Sequence, residues 1–151
     1  MKGLKSVGNR RGFTLVELLV VVTILGILVA VVGVNVLRYP DKARRSAAKA
    51  QIAQFKSALD SFYLDTGTYP TNDEGLKALV EAPMDADISA DWDGSYLAEA
   101  RVPKDPWRHE YVYRQPGEDG TDFDIICYGK DGVEGGEGVD KDITNHNLDE
   151  R

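Results

Sequence analysis

Three aspartates, Asp131, Asp140 and Asp142, lie in one run near the C-terminus that also holds glycines at 132, 135, 136 and 138. Carboxylates supply hard anionic oxygen, and glycines let the backbone curl so that carbonyls point inward. Calcium takes about 6–8 such oxygens, whereas zinc favours histidine or cysteine. A solvated acidic turn has the same composition, and the residues alone leave both readings open. Two calcium motifs are excluded by spacing. An EF-hand ending at Asp131-Gly132 would put Cys127 and Gly129 where acids or amides belong. Gly135-Gly136-Glu137-Gly138-Val139-Asp140 matches the start of a β-roll repeat, but it occurs once, and Asp142 takes the place of an apolar residue.

The other candidates for chemistry are fewer. Glu17 sits in the apolar run RGFTLVELLVVVTILGILVAV, where a charge at the centre of a membrane helix costs about 2.5–3.5 kcal/mol. Cys127 is the only cysteine, so neither an internal disulfide nor a multi-thiolate site can form. Within DFDIICY it reads as a small buried apolar residue. His109 follows the Pro106-Trp107 turn and His146 lies in the polar tail, and both read as surface histidines. Phosphate loops, nucleophile elbows and paired-histidine metal motifs are missing from the sequence. The chain reads as a structural protein, not an enzyme.

Several elements must position these residues. Lys2, Lys5, Arg10 and Arg11 make residues 1–12 basic, so of a formal charge of −7 the remainder carries −11 (−7 less +4). An acidic body of this kind is unsuited to nucleic acid, which calls for clustered Lys and Arg. The 25 residues Phe13–Leu37 hold one formal charge, Glu17. As a helix they would extend about 37 Å, enough to cross a hydrocarbon core of about 30 Å. The run is too long for a signal-peptide h-region and lacks a clean cleavage site of the A-x-A kind. It reads as a retained transmembrane helix over 13–38. Basic residues flank both ends, so charge leaves the orientation open.

Beyond Pro40, an amphipathic helix is expected within 39–65, because Ala48, Ile52, Phe55, Leu59 and Phe62 recur at helical spacing. The globular region 66–151 follows. Thr71-Asn72-Asp73-Glu74 has the form of a capping box opening a short helix through Leu79 and Val80. Residues 84–95 read as an irregular acidic loop. Strands are expected at Tyr96–Val102, Glu110–Arg114 and Asp122–Tyr128. The fold class is α+β, a long N-terminal helix packed on a small antiparallel sheet.

Gly12-Phe13-Thr14-Leu15-Val16-Glu17-Leu18 resembles the processing site of type IV pilins and pseudopilins. Thr68-Tyr69-Pro70-Thr71, Glu74-Gly75-Leu76-Lys77-Ala78-Leu79 and Val102-Pro103-Lys104-Asp105-Pro106-Trp107 resemble the major pseudopilins of type II secretion. The pattern departs at Arg108-His109-Glu110-Tyr111, where Gly-Asn-Pro-Tyr is common, and at Cys127-Tyr128, where Ser-Leu is more usual. The resemblance implies a pilin-like fold. It implies cleavage between Gly12 and Phe13 by a prepilin peptidase and N-methylation of Phe13. It also implies pairing of Glu17 with a neighbouring subunit's α-amino group in a homo-oligomeric filament. Minor pseudopilins and an inner-membrane platform are the implied partners. The implied location is the bacterial inner membrane, single-pass, with the C-terminal region in the periplasm. A structural calcium is implied in the loop after the sheet, held by Asp131 and Asp142 with Asp140, and by the carbonyls of Tyr128 and Val133. The alternatives are a type IV pilin or minor pseudopilin, or a membrane-anchored calcium-binding domain that does not polymerise.

Overall fold

The computed structural model describes residues 12–36 and 39–149. The basic leader, apart from Gly12, and the 37–38 end of the expected transmembrane segment lie outside the described residues. Two compact units divide after Tyr39.

The first unit contains helix α1, Leu15–Val36. Thr14 opens it: its Oγ1 accepts from Glu17 N–H at 3.2 Å, and its carbonyl accepts from Leu18 N–H. Glu17 therefore stands in the first turn, where the helix dipole favours negative charge. Thr23 Oγ1 donates to the Leu19 carbonyl at 2.8 Å, which satisfies a hydroxyl that would otherwise be costly among apolar neighbours. Large apolar side chains from Leu15 to Val29 are exposed all round the helix, from 44% at Val21 to 80% at Leu15. Among the described residues, no helix is long and apolar enough to cross a membrane.

The second unit begins at Pro40. Helix α2 spans Tyr39–Thr66, with Pro40 in its first turn, where a missing N–H is harmless. The expected stripe is its core face: Ala48, Ile52, Leu59 and Phe62 are fully buried and Phe55 nearly so. Burying each large member contributes about 1.5–3 kcal/mol. Gly67, at φ +72°, ends the helix, and its N–H returns to the Tyr63 carbonyl at 2.8 Å. The capping box forms around Glu74, whose Oε2 accepts from Thr71 N–H and Oγ1 at 3.0 and 2.8 Å. The turn it opens is a 3-10 helix, Gly75–Leu79, with Leu76, Ala78 and Leu79 buried.

Two sequence expectations are corrected in the next stretch. Residues 84–95 contain a short helix α3, Ala86–Asp91, started by Asp85, whose Oδ1 accepts from Asp87 and Ile88 N–H. Trp92 just beyond it packs on the core and donates Nε1–H to the Ala78 carbonyl at 2.9 Å. Residues 96–102 do not form a strand. Ala98, Glu99, Ala100 and Arg101 are exposed and poor β-formers, and Glu99 and Arg101 pair with each other.

The sheet is antiparallel, in the order β1 (Val112–Arg114), β2 (Asp124–Cys127), β3 (Ile143–Thr144). Val112 faces Ile126 across β1 and β2, and Cys127 faces Ile143 across β2 and β3. Central β2 is buried along its whole length. α2 packs on this sheet through one core that joins Ile52, Phe55 and Leu59 to Ile125, Cys127 and Ile143. Phe55 meets Tyr111 edge-on at 5.0 Å, and Gln51 accepts the Tyr111 hydroxyl at 2.7 Å. β3 is the strand that was not expected. Its only apolar residue is Ile143, set in the acidic tail, and it carries the loop of residues 128–142 back to the sheet.

Candidate functional site

The loop from Tyr128 to Asp142 leaves the end of β2 and returns at β3. Its folding depends on left-handed glycines. A Cβ on Gly129 (φ +64°) or on Gly136 (φ +80°) would come within 2.6 Å of the Asp140 carbonyl oxygen. Both glycines therefore let the chain close tightly over the Asp140 backbone. Lys130 N–H donates to Val139 O, and Asp142 N–H donates to Gly135 O.

The three aspartates behave differently. Asp131 is exposed, and its Oδ1 accepts from Val133 N–H at 3.3 Å. Asp140 is half-buried, and its N–H donates to Glu137 O at 3.1 Å. Asp142 places Oδ2 on Gly135 N–H at 2.8 Å, while its Oδ1 is buried without a hydrogen-bond partner among the described residues. An orphaned anionic oxygen is costly unless a cation or water meets it. A hard cation at Asp142 Oδ1 fits that need. Among the described residues, no three His, Cys, Asp or Glu side chains are gathered to hold a metal. Such an ion would therefore rely on main-chain carbonyls beside one or two carboxylates, as calcium does.

The loop is tied to α2. Arg45 donates to the Lys141 carbonyl at 2.5 Å, Lys49 donates to the Leu148 carbonyl at 2.8 Å, and Lys130 reaches Asp41 at 3.9 Å. Each pair bridges α2 and the C-terminal segment.

Both histidine side chains are accessible, at 38% for His109 and 46% for His146, as the surface reading expected, and each also faces a buried aspartate. Asp105, 4% exposed, accepts the N–H groups of Trp107 and His109 through Oδ1 at 2.9 and 2.8 Å. Its Oδ2 accepts from Cys127 Sγ at 3.3 Å and faces His109 Nδ1 at 3.5 Å. The two departures from the family pattern thus meet on one carboxylate. Arg108 between them has φ +78°, a left-handed conformation that suits the glycine common there. Burial pushes the Cys127 thiol up to about 12, opposed by the Gly129 N–H and reinforced by the neighbouring Asp105 carboxylate. Cys127 is buried, as expected, and carries no reactive thiolate.

His146 Nε2 lies 2.6 Å from Asp124 Oδ1, and Asp124 is also 4% exposed. Burial alone would raise the Asp124 carboxyl. The Glu118 N–H, His146 and Thr121 outweigh it and hold the group below the usual carboxylate range. Asp124 had a signal in the sequence: an acid inside DFDIIC must be satisfied, and Thr121, Glu118 and the distant His146 satisfy it.

At the opposite end of the chain, Phe13 is 79% exposed and Glu17 is exposed, one helical turn apart. Gly12, Phe13 and Glu17 fall within residues 8–33, which match the prokaryotic N-terminal methylation motif. Residues 35–146 match the family described as type II secretion system, protein G. The type II secretion system core protein G of Vibrio cholerae is 43% identical over 145 residues, covering 96% of this chain and 97% of that one. Its counterpart in Pseudomonas aeruginosa is 44% identical over 138 residues, covering 91% and 95%. The crystal structure of the major pseudopilin from the type 2 secretion system of enterohaemorrhagic Escherichia coli superposes with a TM-score of 0.59. It is 36% identical, covering 74% of this chain and 93% of that one. Motif, sequence and fold agree: the chain belongs to the type II secretion system protein G family, the major pseudopilins.

Proposed function

We propose that the chain is the structural subunit of a short periplasmic filament that serves type II protein secretion, and that it performs no catalysis itself. The observation that carries this reading is α1. Its apolar side chains from Leu15 to Val29 are exposed on every face. Such a helix needs lipid or other apolar helices around it. The two environments would be occupied in turn: the inner membrane first, single-pass, with the unit from Pro40 onward in the periplasm, and the filament core afterwards.

Processing would supply the second half of the mechanism. A prepilin peptidase cutting between Gly12 and Phe13 creates a positive α-amino group, which N-methylation leaves basic, one helical turn from Glu17. In a filament of like subunits, Glu17 of one copy can meet that amino group on the next. The Coulomb gain is offset by desolvation, so the pair chiefly sets register. Minor pseudopilins and the inner-membrane platform would be the partners of this assembly.

The loop reading joins the same proposal. Calcium would be held by Asp142 and Asp131, with Asp140 and the carbonyls of Tyr128 and Val133 completing the oxygen set. The ion would neutralise close carboxylates and lock a glycine-rich segment onto the sheet and α2.

The test is mass spectrometry of the mature N-terminus, combined with cross-linking between copies through cysteines introduced in α1. The expected results are a methylated Phe13, cross-linked ladders in the wild-type background, and loss of the ladders with Glu17→Ala while cleavage continues. An uncut Met1 would overturn the processing step. Absence of any ladder would leave a membrane-anchored domain that does not polymerise.

A further inference from the structure

The turn at residues 105–109 touches the start of the loop at two points, three residues apart. At the first, Asp105 Oδ2 accepts from Cys127 Sγ, which in turn accepts from Gly129 N–H. At the second, the His109 ring lies against Gly132. A Cβ built on that glycine would come within 2.9 Å of His109 Cε1, 3.0 Å of Nε2 and 3.1 Å of Nδ1. The ring thus presents its whole nitrogen edge to the place a side chain would take.

The ring itself is held from behind. Asp105 Oδ1 accepts His109 N–H, Asp105 N–H donates to the His109 carbonyl at 2.9 Å, and Arg108 N–H donates to the Asp105 carbonyl at 2.9 Å. These bonds fix the backbone on both sides of the histidine. His109 Nδ1 is buried, without a hydrogen-bond partner among the described residues, 3.5 Å from Asp105 Oδ2. The nitrogen is therefore placed by the fold of the turn and not by a bond of its own.

We propose that His109 is a positioning residue for the loop, the stop on which the Asp131–Gly132 turn seats, braced by Asp105. Two fixed points, Gly129 through Cys127 and Gly132 through His109, define the path of the first loop turn. That turn carries Asp131 and the Val133 carbonyl, so its placement sets where these oxygens stand. The seating rests on the geometry of the turn; only its consequence for the ion rests on the calcium reading. Gly132 also requires glycine twice over, because its φ is +70° and because the ring occupies the space of a Cβ.

Amide hydrogen exchange on the full-length chain in detergent, with calcium or with chelator, tests the seating. His109→Ala should raise exchange over residues 129–134 by about tenfold with α2 core amides unchanged, a local opening and not a global one. His109→Phe, which fills the space without the nitrogens, should restore much of the protection and guards against misfolding of the alanine variant. Gly132→Ala should open the loop strongly in the wild-type background and distinctly less in the His109→Ala background, because the ring clash is then gone. Loop exchange within about twofold of wild type in a folded His109→Ala protein would overturn the proposal. Equal effects of Gly132→Ala in both backgrounds would do the same. A wild-type loop indifferent to calcium, yet opened by His109→Ala, would remove the calcium reading and uphold the seating.

Discussion

At the scale of single residues, a few side chains hold a strained, acidic corner together. Arg108 adopts φ +78°, which costs a residue with a Cβ about 1 kcal/mol, while its N–H serves the Asp105 carbonyl. Arg108→Gly keeps that bond and relieves the strain, against a larger entropy loss on folding. The expected net gain is small, up to about 0.5 kcal/mol, read as a rise of about 2 °C in the melting temperature. A lower melting temperature would mean that the guanidinium makes a contact worth more than the strain. The corner was only partly legible in the sequence. Burial of Cys127 followed from its strand, and Asp142 was singled out only through the family resemblance. The roles of His109 and His146 were not legible: Asp105 is four residues from His109 but is buried only by the fold, and Asp124 is brought to His146 from far along the chain. Periodicity reports which face a residue occupies, and says nothing about a partner 22 positions away, such as Asp124 for His146.

At the scale of elements, β3 shows how little chain can matter. It has two residues, and only Ile143 is fully buried, yet it returns the loop to β2 opposite Cys127. Ile143→Ala should destabilise the unit by about 2–5 kcal/mol in denaturant titration, as for other large-to-small changes in packed cores. Leu64→Ala, at an 81% exposed site on α2, should change stability by about 0.5 kcal/mol or less. Comparable losses at both sites would show that β3 is not part of the cooperative core. The α2 stripe and the Thr71–Glu74 cap were legible because each is written in local spacing. β3 was hidden because one isoleucine in an acidic run carries no alternation. The expected strand at 96–102 failed for the opposite reason: its apolar ends, Tyr96 and Val102, pack on the core while the middle stays exposed and unpaired with the sheet.

At the scale of the molecule, two units with contrasting surfaces share one chain. The first unit exposes an apolar helix, and the second is an acidic body whose C-terminal loop is strapped to the start of α2. Before Ala48 the described residues of α2 contribute nothing to the buried core. Its first turns are held instead by Asp41 to Lys130 and by Arg45 to the Lys141 carbonyl. Order in the loop and order at the helix start are thus linked by the same contacts. If calcium neutralises Asp142 Oδ1, it stabilises the folded unit by mass action, by about 2.7 kcal/mol at a hundredfold excess over Kd. For a unit of this size that is on the order of 10 °C in melting temperature. The full-length chain in detergent should therefore melt higher with millimolar calcium than with chelator. Asp142→Asn, which keeps the size of the side chain and removes its charge, should lose most of the difference. Protease cutting at Lys130 and Lys141 should rise in parallel when the ion is withdrawn, because both lysines lie in the strapped segment. Identical melting with calcium and with chelator would show that Asp142 Oδ1 is served by water, and that the straps to α2 alone order the loop.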